Sequence, residues 1–227
     1  MIRLYLVVEG ATEETFASEL LYPHLLAHGV CLTARRIGKP GHKGGRVNYS
    51  RAKKDVLLLL KQDRAAYCTT LFDFYGLGEG FPRQSVPPNA SSAQKAQSVE
   101  TPFHADIAME MGEAFPPQRF LPYFQMHEFE GLLFSDCSAF SRGIYRPDLQ
   151  PAFQAIRDQF ETPEEIDDSP ITAPSKRVRD LIPNYEKPLL GTLAALEIGL
   201  EAIRVQCPHF NAWLTRLEQA AEGAIGP

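Results

Sequence analysis

Cysteine is scarce in this 227-residue chain and nowhere paired: Cys31, Cys68, Cys137 and Cys207 are widely scattered, with no CxxC spacing. That spacing gives neither a zinc ribbon nor a disulfide framework, so reduced thiols in a cytoplasm are expected. Long hydrophobic runs are missing too. The stretches "DVLLLL" and "LLGTLAALEIGL" fall short of the about 20 apolar residues that a bilayer-spanning helix needs, and no signal peptide is recognisable, so a membrane is not an expected partner. Positive charge is in deficit, with 23 Lys and Arg against 28 Asp and Glu and a net charge of −5. Non-specific coating of DNA or membrane depends on clustered cations, so any nucleic-acid contact must be local. Internal repeats and low-complexity tracts are absent, and no GxxxxGK[ST] spacing marks an ATP-binding loop.

What is present is enough apolar residue, 44% of the chain, to bury a proper core in one compact unit. Residues 2–8, "IRLYLVV", are apolar and β-branched without strict alternation, which suits a central strand buried on both faces of a parallel sheet. Thr12 is positioned to cap a helix carrying Glu13 and Glu14 in its first turn, with Phe16, Leu20 and Leu21 at helical spacing as far as about Ala27. A strand at 30–37, a Gly-rich loop, a helix from Ser50 and the strand in "YCTTLFDFYG" complete a βαβ pattern. A helix over 93–114 follows, with a break or late start expected at Pro102. "RFLPYFQMHEFEGLLF" reads as another strand, and helices are expected at 149–160, 175–182, 188–206 and 209–222. The fold class is therefore α/β, a mostly parallel sheet flanked by helices with a helical C-terminal part. Residues 1–140 form the core and 141–227 an extension packed on it as one unit.

Acids follow the ends of three expected strands: Glu9, Asp73, and the pair Glu128 and Glu130. Ligands of open α/β sheets bind at the carboxyl ends of the strands, so these acids are expected to share one edge, joined by Glu13. Such a cluster repels itself unless a divalent cation neutralises it, and hard oxygen ligands suit Mg²⁺ or Mn²⁺. A bound ion of that kind polarises a phosphoryl oxygen and activates water, and paired ions about 4 Å apart stabilise both nucleophile and leaving group. Glu9, Glu13, Asp73, Glu128 and Glu130 are the candidate metal ligands, with Glu9 and Asp73 catalytic. The alternative is a cap at Glu9, a turn at Asp73 and solvated acids beyond. In "HEFE", a continuing strand points Glu128 and Glu130 to one face, whereas a helix puts His127 and Glu130 together. His127 is either a ligand or proton carrier, or a histidine satisfied by a nearby carbonyl.

Two basic segments are candidates for phosphate. "GHKGGR" sets Lys43 and Arg46 among flexible glycines, as an anion loop or as a surface hairpin. In "TAPSKRVR", Ser175 is placed to cap a helix followed at once by Lys176, Arg177 and Arg179. Cations in a first turn oppose the helix dipole unless an anion or carboxylates compensate. Lys176, as a catalytic charge neutraliser, and Arg177 are thus phosphate-binding candidates, or a basic corner pairing with Asp167 and Asp168. Cys207 and His209 lack partners for a tetrahedral site, so core packing by Trp213 and Leu217 is expected there. The aromatics of "FDFYGL" are either base-stacking or core.

The opening "RLYLVVEGATEETF" resembles the first motif of Toprim domains. Together with "TTLFDFYGLGEGFP", "RFLPYFQMHEFEGLLFSD" and "PNYEKPLLG", the chain resembles domain-of-unknown-function family 4276, a Toprim-like bacterial family related to OLD-type nucleases. The resemblance implies that Glu9 is the Toprim glutamate, Glu13 the second acid of OLD-type nucleases, and Asp73 the first acid of the DxD motif. Tyr75 stands where the second DxD acid would be, and Glu128 or Glu130 is the candidate replacement. It further implies Mg²⁺-dependent cleavage of DNA or RNA, beside a separate ATPase. Two rivals are a non-catalytic binding subunit for such an ATPase or for nucleic acid, and hydrolysis of small phosphoesters.

Overall fold

A computed structural model describes residues 1–38, 46–166 and 172–223. The chain runs β1 (Ile2–Val8), α1 (Ala11–Phe16), a π-helical turn (Ala17–Leu21), α2 (Tyr22–Ala27), β2 (Val30–Arg36), α3 (Tyr49–Gln62) and β3 (Tyr67–Asp73). It continues through α4 (Ser92–Met111), β4 (Phe120–Leu121), β5 (Phe124–Gln125), α5 (Glu130–Leu133), α6 (Cys137–Gly143) and α7 (Gln150–Arg157). The last elements are α8 (Pro174–Leu181), a second π turn (Lys187–Gly191), α9 (Thr192–Ile198), α10 (Leu200–Gln206) and α11 (Pro208–Gly223).

Every strand pairing is parallel, in the order β2-β1-β3-β4, with β5 continuing alongside β3. The parallel α/β class expected from the sequence is the class observed. Residues at even positions of β1, namely Ile2, Leu4, Leu6 and Val8, enter one core with Leu71 of β3. Val7, Cys68 and Phe72 enter the other, beneath α3 and α4. The two-residue period of a strand makes this division, and burial on both faces beyond Arg3, which is exposed and pairs with Asp63, explains why "IRLYLVV" shows no sustained polar side.

Phenylalanine fills both cores: ten of the fourteen, among them Phe16, Phe103, Phe129 and Phe210, are essentially inaccessible. The first core draws together residues from either side of position 140, with Phe16 packed edge-on against both Phe129 and Phe210. Trp213 of α11 stacks on Tyr123 at 4.3 Å and donates to Thr69 Oγ1 in β3.

Several local expectations need correction. Pro102 lies inside a continuous α4, because the Ser98 carbonyl that a helical N–H at 102 would bond instead accepts from Gln84 N at 2.8 Å. The stretch "RFLPYFQ" makes two short strands, interrupted at Pro122. The helix expected over 188–206 divides at Gly199, whose φ of 77° lies in the region glycine adopts freely. An unexpected α6 is capped by Asp136, whose carboxylate accepts from Ala139 N.

Candidate active site at the carboxyl edge of the sheet

β1 and β3 lie side by side, and the chain leaves β1 toward β2 on one flank but leaves β3 toward β4 on the other. That reversal opens a crevice beyond the strand ends. Glu9 follows directly on β1 and Asp73 ends β3, so both acids flank it.

Glu13 reaches the same place by a local route. The helix starts two residues earlier than expected, with Gly10 and not Thr12 as its cap, and Glu13 at the third helical position accepts from Gly10 N at 3.0 Å. An acid in the first turn is also favoured by the helix dipole. The chain after β5 turns sharply at His127, whose φ of 56° is left-handed, and His127 O accepts from Tyr75 N. This turn aims Phe129 N at Asp73 Oδ1, 2.8 Å away, and starts α5 at a wholly buried Glu130. "HEFE" is therefore neither a continuing strand nor a helix but a turn entering one. His127 is buried, its ring 5.4 Å from that of Tyr75.

The cation among these acids is Lys187. Its Nζ lies 3.1 Å from Glu130 Oε2, 3.2 Å from Asp73 Oδ2 and 3.7 Å from Glu13 Oε1. Lys187 opens the helical run that leads into α9, a position where a cation opposes the dipole. Carboxylates compensate it there, which is the logic that had pointed to Lys176. Lys176 itself is exposed on α8. Sequence reasoning missed Lys187 because it stands alone in "NYEKPLLG", outside any basic run; the available signal was a lone lysine before Pro188 at a helix start.

Crowding governs the charges. Burial first, then the Glu13 carboxylate, pushes the Glu9 pKa up to about 7, although Lys187 and a backbone hydrogen bond from Asp73 pull the other way. Burial likewise raises Asp73 well above the usual carboxylate range, with Lys187 opposing and Glu13, Glu9 and Glu130 adding to the rise. Glu130 is raised by its burial, against the pull of Lys187. Burial works against the ammonium of Lys187, yet Asp73, Glu130 and Glu13 outweigh it and hold its pKa well above that of an ordinary lysine.

Three carboxylate oxygens, Glu9 Oε2, Glu130 Oε1 and Glu130 Oε2, are buried with no hydrogen-bond partner among the described residues, and of these only Glu130 Oε2 is ion-paired, with Lys187. Gly76 makes room for the first: a Cβ there would stand 2.6 Å from Glu9 Oε2. Glu128 lies near enough for its charge to raise Glu9 and Glu130, and its Oε2 accepts from Ser175 N at 2.8 Å at the start of α8. Ser175 thus lies inside a helix whose cap is Ala173. Arg177 donates to Thr172 O and covers the Phe160 ring, so its guanidinium is already engaged. Arg46 is exposed and precedes Val47, whose N–H bonds Gly76 O at 2.8 Å, beside the loop that cradles Glu9. Lys43, Asp167 and Asp168 lie outside the described residues.

A profile of one protein family matches residues 8–218, nearly the whole chain and every acid above. The chain belongs to the family called domain of unknown function, DUF4276. Among solved structures, this DUF4276 member is similar to the C-terminal region of the OLD protein of Xanthomonas campestris pv. campestris, at 16% identity and a TM-score of 0.43, covering 100% of this chain and 99% of that one. No functionally curated protein matches it significantly.

Proposed function

We propose that this DUF4276 protein hydrolyses phosphodiester bonds in nucleic acid as a Toprim-type nuclease dependent on Mg²⁺ or Mn²⁺, working with a separate ATPase. The observation that carries the reading is the placement of Glu9 and Asp73 at the carboxyl ends of adjacent parallel strands, with Glu9 Oε2 buried and unmatched among the described residues. An all-oxygen set of crowded carboxylates, two of whose buried oxygens lack a donor, fits a hard divalent cation. Glu9, Glu13, Asp73 and Glu130 would hold it.

When bound, such a cation polarises a phosphoryl oxygen and lowers the pKa of an attacking water. The chain's own groups supply the rest. Lys187 brings a permanent positive charge to neutralise the oxyanion that develops in the transition state. Phe129 N fixes one Asp73 oxygen, and Gly10 N fixes one Glu13 oxygen, so both acids are oriented before substrate arrives. Exposed Arg46 and Lys176 are the positions available to the flanking phosphates of a strand.

The test is purified protein on labelled DNA and RNA, with and without Mg²⁺ or Mn²⁺, beside Glu9→Gln. Cleavage is expected only with metal, and slower by at least about a hundredfold in the variant. Equal cleavage by the variant would remove the mechanism.

One observation favours a second reading, a non-catalytic subunit that binds an ATPase or nucleic acid. Lys187 already neutralises three of the acids. Among the described residues, moreover, the acids do not form a group with all ligand atoms within 4.8 Å of one another. Calorimetry decides: no heat from Mg²⁺ or Mn²⁺ at millimolar concentration supports the binding subunit.

A further inference from the structure

We propose a separate transition-metal site, of the Zn²⁺ type, formed by His24, His28 and Glu218 between α2 and α11. One ligand atom from each of these residues lies within 4.8 Å of the others. His24 and His28 are four residues apart, so the helix presents both imidazoles one turn apart on one face, with ring centroids 4.6 Å from each other. Glu218 comes from α11, its Oε1 2.6 Å from His24 Nε2.

The surroundings prepare these atoms for a metal. His28 Nδ1 lies 2.9 Å from the His24 carbonyl oxygen, an acceptor only, so Nδ1 carries the proton there and Nε2 keeps its lone pair for a ligand. Two imidazoles and a carboxylate select Zn²⁺ or Co²⁺ over Mg²⁺ and Ca²⁺, which take oxygen. Glu218 and His24 are mostly covered while His28 is exposed, so the site is open on one side to an entering ion and a completing water.

Arg204 faces the group and occupies its charge in the metal-free protein. Its Nη1 lies 2.5 Å from Glu218 Oε1 and 3.4 Å from His24 Nε2, and its Nη2 lies 3.3 Å from Glu218 Oε2. Asn211 and Thr215 hold this guanidinium at 2.8 and 3.2 Å. Entry of the cation displaces the Arg204 Nη1 contact from Glu218 Oε1 and leaves Arg204 bonded to Oε2, where it orients the carboxylate. A bound ion therefore ties the helix after β1 to α11.

The experiment titrates ZnCl₂ and CoCl₂ into the full chain and into His28→Gln and Glu9→Gln, following heat, Co²⁺ absorption and melting. His28 is exposed, so its variant folds. One Zn²⁺ is expected to bind with a rise in Tm of about 5–10 °C at a hundredfold excess over Kd. Affinity falls about tenfold or more in His28→Gln, with loss of the Tm rise. Glu9→Gln keeps both, which separates this site from the acids of the sheet edge, and the Co²⁺ spectrum should show nitrogen and oxygen ligands without thiolate bands. Binding and stabilisation unchanged in His28→Gln, or no Tm rise in the unaltered chain, would overturn the proposal.

Discussion

Lys187 carries more of the site's electrostatics than any other side chain, since three carboxylates lie within 3.7 Å of its ammonium. Replacing it with methionine leaves buried acids uncompensated, and a loss of about 3–5 kcal/mol in urea unfolding at neutral pH is expected. Glu9 acts in the opposite sense. Its carboxyl gives up its proton near 4.5 in the unfolded chain but keeps it to about 7 in the folded one. Between those values the folded state binds more protons, so the contribution of Glu9 to stability falls as pH rises through that window. In metal-free buffer, Glu9→Gln should therefore be the more stable protein at pH 8, by on the order of 1–3 kcal/mol, with the gap closing below pH 4.5. A wild-type chain that is equally stable at pH 8 would show that Glu9 is not crowded. Gly76→Ala sets a methyl against the Glu9 carboxylate and should cost about 1–3 kcal/mol. At this scale the sequence was half legible. Glu9, Glu13 and Asp73 could be placed because strand tips and first turns have local signals. Lys187 could not, because its partners are distant in the chain and only folding brings them near.

The elements hold one another by backbone bonds to buried acids. Glu164 offers both carboxylate oxygens to the first turn of α11, accepting from His209 N and Phe210 N at 2.9 Å each. Glu164→Ala removes that cap and leaves two donors under cover, so a loss of about 2–4 kcal/mol in thermal or urea unfolding is expected. Asp136→Ala, at the more exposed start of α6, should cost only about 1 kcal/mol. Strands and long helices were readable because apolar runs and periodicity report burial directly. The continuity of α4 through Pro102 was not, since the acceptor freed by proline is used by Gln84, a residue from the irregular stretch before the helix. The turn at His127 was equally hidden, because its left-handed backbone is imposed by Tyr75 and Phe129 contacts and has no glycine to announce it.

Across the whole molecule, two cores flank one sheet, and the first of them is completed by α11. Trp213→Ala removes a stacked ring and leaves Thr69 Oγ1 without its indole donor, so a loss of about 3–5 kcal/mol and a markedly lower Tm are expected. The division at residue 140 drawn from the sequence follows the change from strand-bearing to purely helical chain. Packing ignores that boundary, because Phe16, Phe129 and Phe210 share one aromatic cluster. No described helix is long and apolar enough to cross a membrane.

That late-arriving side of the aromatic cluster has a consequence during synthesis. A ribosome making this polypeptide releases the β1 to β5 region well before Phe210 and Trp213 emerge from the exit tunnel, so one face of the nascent sheet waits only partly covered, by the helical run from α1 to α2. Chaperone capture at that interval, and not folding in step with translation, is the route such an order of emergence favours.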